Sequence, residues 1–538
     1  MQSTMMQVPL NLSHFLERAG KLFAAQEIVS RLPDKSLHRY TYADFYRRAR
    51  ALAEALTGAG LKRGDRVATL MWNHYAHYES YFGIIAAGGV LHTLNLRLAA
   101  DDIAYIVNHA QDRYLIVDDI LLPLFEQFRG RVNPERVIVV PLTGKPVPAG
   151  MDDYEAFLRT AVGEFEYPQM DENEPCAMCY TSGTTGRPKG VVYSHRSQLL
   201  HSLVQAIPDA CGISSRDVIL PVVPMFHANA WGVPYTAAML GAKMVFPGPH
   251  LHPDDLIPLL ESEKVTLSMG VPTIWLPMVQ ILEKNRGRWK LQPNLRLTVG
   301  GSAVPEAMIR AYAKLGIEVI QGWGMTETSP LATVSKVTAL HEPLSEDERF
   351  AVLANQGYPL PLVDIRAIGD QGEQPWDGKS VGEIQVHGPW IAGSYYNQPA
   401  PENFAPDGWL RTGDVASIDP MGVVKISDRT KDLIKSGGEW ISSVDLENAI
   451  MGHPAVQEAA VIAVPHPKWA ERPLAVIVLK PGGSATEADI KGYLAQSFVK
   501  WMVPDAYAFV DAIPRTSTGK FLKTKLRDMY RDWKWADA

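Results

Sequence analysis

The chain has 538 residues, 46% hydrophobic and 21% charged, an ordinary globular composition that excludes a fibre or a wholly disordered polymer. That length exceeds what one simple core covers, so two or more domains are expected. A formal net charge of −7 disfavours a dedicated nucleic-acid binder, and no apolar run reaches the length of a membrane span. The N-terminal stretch MQSTMMQVPLNLSHFLERAG lacks a basic region followed by an apolar core, so it does not read as a signal peptide. Sparse cysteines (Cys176, Cys179 and Cys211) point to a reducing compartment, and the expectation is a cytoplasmic protein. Cys176 and Cys179 form a CxxC with no second pair, in an apolar run, and read as small buried hydrophobes.

Residues 40–60 carry apolar positions at helical spacing and end in Gly, which predicts a helix. RVATLM (66–71) and VLHTLN (90–95) then read as short buried strands around a helix YESYFGIIAAGG. YLIVDD and VIVVPL continue the strand–helix alternation, which predicts an α/β fold with parallel sheets. Residues 180–190, YTSGTTGRPKG, hold three glycines, a proline and two cations, Arg187 and Lys189. Glycines let backbone approach a ligand closely, and successive N–H groups in such a loop form an anion site. The hydroxyls of Thr181, Ser182, Thr184 and Thr185 can donate to phosphate, and Thr184 or Thr185 can reach a metal. Apolar residues on both sides predict a hairpin with this loop at its tip. It is not a P-loop: the nearest decoy is Gly378-Lys379-Ser380, whose required first Gly falls on Glu373.

A second α/β segment starts at this loop. VILPVVPMFHANAWG (218–232) reads as a strand leading into a His- and Trp-bearing turn. KMVFPG, VTLSMGVPTIW and LRLTVGG follow at strand-like spacing, and residues 341–350 read as a polar surface loop. Short β runs broken by Gly, Pro, Asp and Asn predict a small β-subdomain over 357–424. The strand at 425–427 ends in a charged cluster, after which a compact α+β module begins. The expected division is therefore a large domain over 1–427 and a small mobile domain over 428–538.

The 180–190 string resembles the phosphate-binding signature of the acyl-adenylate-forming enzymes: acyl-CoA synthetases, peptide-synthetase adenylation domains and beetle-type luciferases. The likeness runs from about Tyr40 to Lys520. It implies an ATP site built by Thr181, Ser182, Gly183, Thr184, Thr185 and Lys189, with Thr184 and Glu327 as Mg²⁺ ligands. Mg²⁺ is usually held by one or two carboxylates plus ligand phosphates. In QGWGMTETSP (321–330), the likeness implies ATP-binding roles for Gly322, Trp323, Gly324 and Thr326, with Trp323 stacking on adenine and Thr326 donating to the α-phosphate. Gly300, Gly301 and Ser302 in VGGSAVP resemble the wall between the adenine and acyl pockets. His227 matches the position that faces the substrate carboxylate, and Trp231 matches the mouth of an acyl tunnel shared with Val271. Asp414, closing GWLRTGD, matches the ribose ligand, with Arg429 as a second contact. Asp428 matches the hinge between domains. Lys435, Ser436, Gly437, Gly438, Glu439 and Trp440 match the segment that passes the pantetheine arm of coenzyme A. Lys520, in PRTSTGK, matches the family's lone catalytic lysine.

The resemblance therefore implies an AMP-forming acyl-CoA synthetase using ATP, Mg²⁺ and coenzyme A on a small-molecule acid, with a homodimer as a family expectation. HANAW and SGGEW resemble the medium- and long-chain branch and its relatives acting on short functionalised acids. Rival readings are another adenylate former, such as an aryl-CoA ligase or a luciferase-like oxygenase, and a non-catalytic nucleotide-binding scaffold. A peptide-synthetase module is expected to continue into a carrier domain, and this chain stops soon after Lys520. A scaffold is expected to have lost Glu327, Asp414 or Lys520, and all three are present.

Overall fold

The computed structural model describes residues 1, 3–181, 187–436, 439–516 and 519–535, with backbone alone at 439. The helix Tyr42–Gly58 starts where expected because Thr41 and Asp44 form a reciprocal capping box. The helix Tyr75–Ala86 is buried on every side, which explains its nearly unbroken apolar and aromatic sequence.

Two sheets sandwich these elements. One has seven strands, Asp152–Asp153, Arg136–Val140, Tyr114–Asp118, Arg66–Leu70, Val90–Thr93, Pro175–Tyr180 and Gly190–Ser194, in that spatial order. All neighbours are parallel except the last pair, the antiparallel hairpin that carries the 181–189 loop, with Tyr180 opposite Gly190. The other sheet has nine strands, with Leu267–Gly270, Arg296–Val299 and Glu318–Gly324 adjacent and parallel. Parallel order brings the C-terminal ends of these three strands together, and the Gly300 and Thr326 loops leave from there. Crevices at the carboxyl ends of such strands are where open α/β sheets bind ligands. The N-terminal strand Glu27–Arg31 joins this second sheet, parallel to Lys243–Phe246, and so ties the chain's start to its middle.

A five-stranded antiparallel sheet follows, ending in Leu410–Ile418 and Val424–Arg429. The last strand runs past Ser427: Asp428 and Arg429 pair opposite Val415 and Asp414. The charged residues continue the ladder because one face of this edge strand opens toward the ligand cavity. A second departure from expectation lies at 341–350. Ser345 and Glu348 cap each other, starting the helix Glu346–Leu353, and His341 is fully buried against the Tyr358 hydroxyl at 2.6 Å. The polar string SEDE is a capping box, so it opens a helix rather than a surface loop. Beyond 434, the hairpin Val456–His466/Ala470–Leu479 pairs with Ile434–Ser436 and Ala506–Phe509. The helices Ser443–Met451 and Glu487–Leu494 pack on this sheet around its own buried cluster. Cys176, Cys179 and Cys211 are buried and free.

Candidate active site

A cavity of about 560 Å³ opens where the two sheets, the small β-sheet and the C-terminal unit meet. Thr181, Lys189, His227, Trp231, Gly300, Gly301, Trp323, Thr326, Glu327, Arg429 and Lys520 all line it. A second cavity shares Gly301, Trp323 and Lys520 and adds Ser302, Asp414 and Asp428. Ser182, Gly183, Thr184 and Thr185 lie outside the described residues.

The mouth of the glycine-rich loop is fixed by its own backbone. Thr181 N–H donates to the Lys189 carbonyl at 2.9 Å, and Lys189 N–H donates to Thr181 Oγ1 at 3.0 Å. The Lys189 ammonium donates to Asn403 Oδ1 at 2.7 Å and lies over the Tyr395 ring. Tyr395 in turn donates its hydroxyl to Glu327 Oε1 at 2.7 Å. The Thr326–Thr328 turn is pinned from both sides. Tyr193 OH donates to the Thr326 carbonyl at 2.8 Å, and Ala392 N–H to the Glu327 carbonyl at 2.7 Å. Glu327 is thus a buried side chain linked through Tyr395 to Lys189.

On the far side, the Trp323 indole N–H donates to Asp414 Oδ2 at 2.9 Å, and Arg429 Nε sits 3.1 Å from Asp414 Oδ1. Asp414 is buried, and each of its oxygens is held by one of these partners. Gly301, at φ +86°, and Gly300 let the Lys520 and Trp231 side chains lie close to backbone. A Cβ on Gly300 would meet Gly322 O at 3.0 Å and the Trp231 indole at 3.3 Å; one on Gly301 would meet Lys520 Cε at 3.6 Å. Val271 packs between Gly301 and Gly519, behind the lysine loop rather than on the cavity wall with Trp231.

Lys520 reaches the cavity from the C-terminal unit on a loop closed by the Thr516 N–H bond to its carbonyl at 2.7 Å. Burial and the nearby Arg429 push its ammonium down to about 8, against the opposing pull of Asp414 and Glu327. Burial, Lys520 and Arg97 push the His227 imidazole down to about 3, so it is neutral at ordinary pH. Residues 228–231, between His227 and Gly232, all have positive φ, a left-handed turn of four non-glycine residues. That backbone costs roughly 1–2 kcal/mol per residue, and such strain concentrates at functional sites.

The residues expected along the pantetheine path lie elsewhere. Ser436 is buried and accepts from Arg472 Nη1 at 2.9 Å, whereas Trp440 is 51% exposed beside Lys435. None of Lys435, Ser436 and Trp440 lines either cavity, while Lys520 lines both. Gly437, Gly438 and the Glu439 side chain lie outside the described residues. Asp428 is buried, its Oδ2 accepting Ser443 N–H at 2.7 Å from the first residue of the helix Ser443–Met451. Sequence reading missed Tyr395 and Asn403, which hold Glu327 and Lys189; both sit in ordinary loop composition and carry no local signal.

Among the described residues no cluster of three or more His, Cys, Asp or Glu side chains has metal-binding geometry. A metal here would rest on Glu327 and on ligand phosphates, which fits a hard cation such as Mg²⁺. Glu327→Gln is expected to weaken Mg²⁺ binding. Titration of the variant's activity with Mg²⁺ should shift to higher concentrations, and an unshifted curve would remove Glu327 from the metal site.

Residues 16–396 match the AMP-binding enzyme family and residues 445–520 the AMP-binding enzyme C-terminal domain. The chain is 51% identical to a long-chain-fatty-acid–CoA ligase of Thermus thermophilus over 536 residues, covering 99% of this chain and 97% of that protein. It is 44% identical to a 3-methylmercaptopropionyl-CoA ligase of Ruegeria lacuscaerulensis, covering 99% of each. The crystal structure of an anthranilate CoA ligase with anthranoyl-AMP superposes with a TM-score of 0.85 at 25% identity, covering 99% of both chains. Among the described residues no helix is long and apolar enough to cross a membrane. With both halves of the family pattern matched in order and a common architecture, the chain belongs to the AMP-binding enzyme family.

Proposed function

We propose that this enzyme is an AMP-forming acid–thiol ligase that activates a carboxylic acid with ATP and transfers the acyl group to coenzyme A. One observation carries the reading. Lys520, from the C-terminal unit, lines the same cavity as Glu327, His227, Thr181 and Lys189, beside the Trp323–Asp414–Arg429 cluster.

The chemistry follows from charge. A carboxylate oxygen attacks the α-phosphorus of ATP, the bond to pyrophosphate breaks, and an acyl-adenylate forms. The thiol sulfur of coenzyme A then attacks the acyl carbon, AMP leaves, and the thiol proton is lost to solvent. Neither step needs a protein nucleophile, and the site offers positioning and charge neutralisation instead. Holding reactants in line can contribute roughly 7–11 kcal/mol. Thr181 and Lys189 hold phosphate oxygens. Trp323 stacks on adenine, and Asp414 with Arg429 orients the ribose. Neutral His227 faces the acid, donating to a carboxylate without adding a competing charge. Lys520 bridges the attacking carboxylate and the α-phosphate. Mg²⁺, held by Glu327 and phosphate oxygens, supplies further neutralisation when bound. The small domain is taken to begin at Asp428 and to turn there, bringing 435–440 to the adenylate for the second step.

The test is direct: enzyme, ATP, Mg²⁺, coenzyme A and carboxylic acids of graded length. AMP, pyrophosphate and a CoA ester are expected, whereas release of ADP and phosphate would overturn the reading. Trp231, on its strained turn, is the gate for acyl length. Trp231→Ala is expected to change KM for longer acids severalfold more than KM for ATP. A flat acid profile with altered ATP affinity would reject that role.

A further inference from the structure

Behind the wall formed by Trp231 and Leu331 lies the helix His195–Ala206, and one of its faces is both polar and fully buried. Gln198, His201 and Gln205 recur at spacings of three and four and share that face, each no more than 1% exposed. Gln205 is satisfied: its Nε2 donates to the Trp231 carbonyl at 2.7 Å, and its Oε1 accepts from Thr236 Oγ1 at 2.7 Å. His201 is half satisfied. Leu331 N–H donates to His201 Nε2 at 3.3 Å, which leaves the ring proton on Nδ1. That Nδ1–H finds no acceptor among the described residues, and neither amide atom of Gln198 finds a partner. His201 Nδ1 lies 2.9 Å from where a Cβ on Gly232 would stand, directly behind the left-handed turn that carries Trp231.

Buried donors and acceptors in proteins are nearly always paired, and each exception calls for a cause. Here three orphan atoms sit on one helix face, one layer behind the acid-binding wall. Together they offer three N–H donors on two nitrogens and one acceptor, which suits a hydroxyl oxygen that both accepts and donates. An unsubstituted alkyl chain would leave all three unmet.

We propose that Gln198 and His201 form a hydrogen-bonding acyl subsite behind Trp231, specific for acids that carry a hydroxyl group on the chain. This rests on the acid–thiol ligase reading above. It deepens that reading by naming the substrate class: hydroxy-acids in preference to unsubstituted fatty acids of equal length.

The experiment compares pairs of acids matched in carbon number, one unsubstituted and one carrying a single hydroxyl, across several lengths and hydroxyl positions. Wild type is expected to show the higher kcat/KM for the hydroxylated member in at least one pair. Gln198→Met keeps the side-chain length and removes both orphan amide atoms. It should lower the hydroxylated-to-plain ratio in that pair by tenfold or more, with little movement in KM for ATP. Because the substitution deletes unpaired buried polar atoms, Tm should hold or rise, so a lower ratio is not a folding defect. A ratio within twofold of wild type, with Tm raised, would assign the face to trapped water and overturn the proposal. So would a wild-type preference for the plain acid in every pair. If neither protein turns over any acid, the ligase reading falls. The same pairs compared by thermal shift, wild type against Gln198→Met, then decide the subsite independently.

Discussion

Lys520→Ala is expected to slow acyl-adenylate formation by about 10²–10³-fold, roughly 3–4 kcal/mol, the scale of one charge-stabilising donor in a water-excluded site. Conversion of supplied acyl-adenylate to the CoA ester should stay within about threefold of wild type, since Lys520 lines the cavity that Lys435, Ser436 and Trp440 do not reach in this pose. Pyrophosphate release reports the first step and ester formation the second. Equal loss of both would argue for one fixed closed site in which the lysine serves throughout. The electrostatics add a pH signature. The Lys520 ammonium, pushed down to about 8 by burial and Arg429, neutralises phosphate only while charged. Adenylation kcat/KM should therefore be level below about pH 8 and fall as pH rises through it. Bound ATP phosphates favour the charged form, so the corresponding limb in kcat should lie at higher pH. Lys520→Arg, charged throughout, should lose the limb; a limb that survives belongs to another group.

Much of this site is legible in the sequence because its parts are short, glycine-rich strings that suit little besides close approach of backbone to a ligand. QGWGMTE and GWLRTGD are two such strings, and the structure brings Trp323 and Asp414 into direct contact. What stays hidden depends on neighbours far away in sequence. Tyr395 matters because its hydroxyl meets Glu327, 68 residues earlier, and no local pattern records that meeting. Asn403 and Lys189 are 214 residues apart. The left-handed turn at 228–231 meets a glycine only at its end, so propensity reasoning has no grip on it. The helix Glu346–Leu353 is legible in principle from Ser345 and Glu348, but its high charge makes it read as a loop. The acid itself is the least legible feature. It is set by side chains such as Gln198 and His201, whose spacing shows a shared helix face without showing that the face is buried.

The proposed turning point at Asp428 has two components, a backbone torsion and a side-chain contact, that different substitutions separate. In this structure the small unit is latched by contacts around it: Ser443 N–H on its Oδ2, and the Ser442 hydroxyl on the Ser427 carbonyl. Lys523 reinforces the latch from within the small unit, donating to Ser443 Oγ at 2.5 Å and pairing with Glu447 at 2.7 Å. In the proposed change of pose that brings Ser436 and Trp440 to the cavity, the Asp428–Ser443 contact opens and the backbone near Asp428 turns. Proline fixes φ near −65° and removes the N–H, so Asp428→Pro freezes the torsion. It is expected to cut the thioester step by about 10²-fold or more, the cost of reacting groups held out of register, while adenylation survives within a few fold. Asp428→Asn keeps the torsion free and keeps an oxygen for Ser443 N–H, losing only the charge. Burial disfavours the Asp428 charge and raises its carboxyl from the ordinary value, against the pull of Lys523, so losing that charge should perturb either step only a few fold. Single-turnover measurement of both steps in the two variants tells torsion from latch. If Asn impairs the thioester step as deeply as Pro, the carboxylate contact and not the backbone rotation governs the change of pose. If neither impairs it, the turning point lies elsewhere in the chain, and the division of this enzyme at Asp428 is wrong.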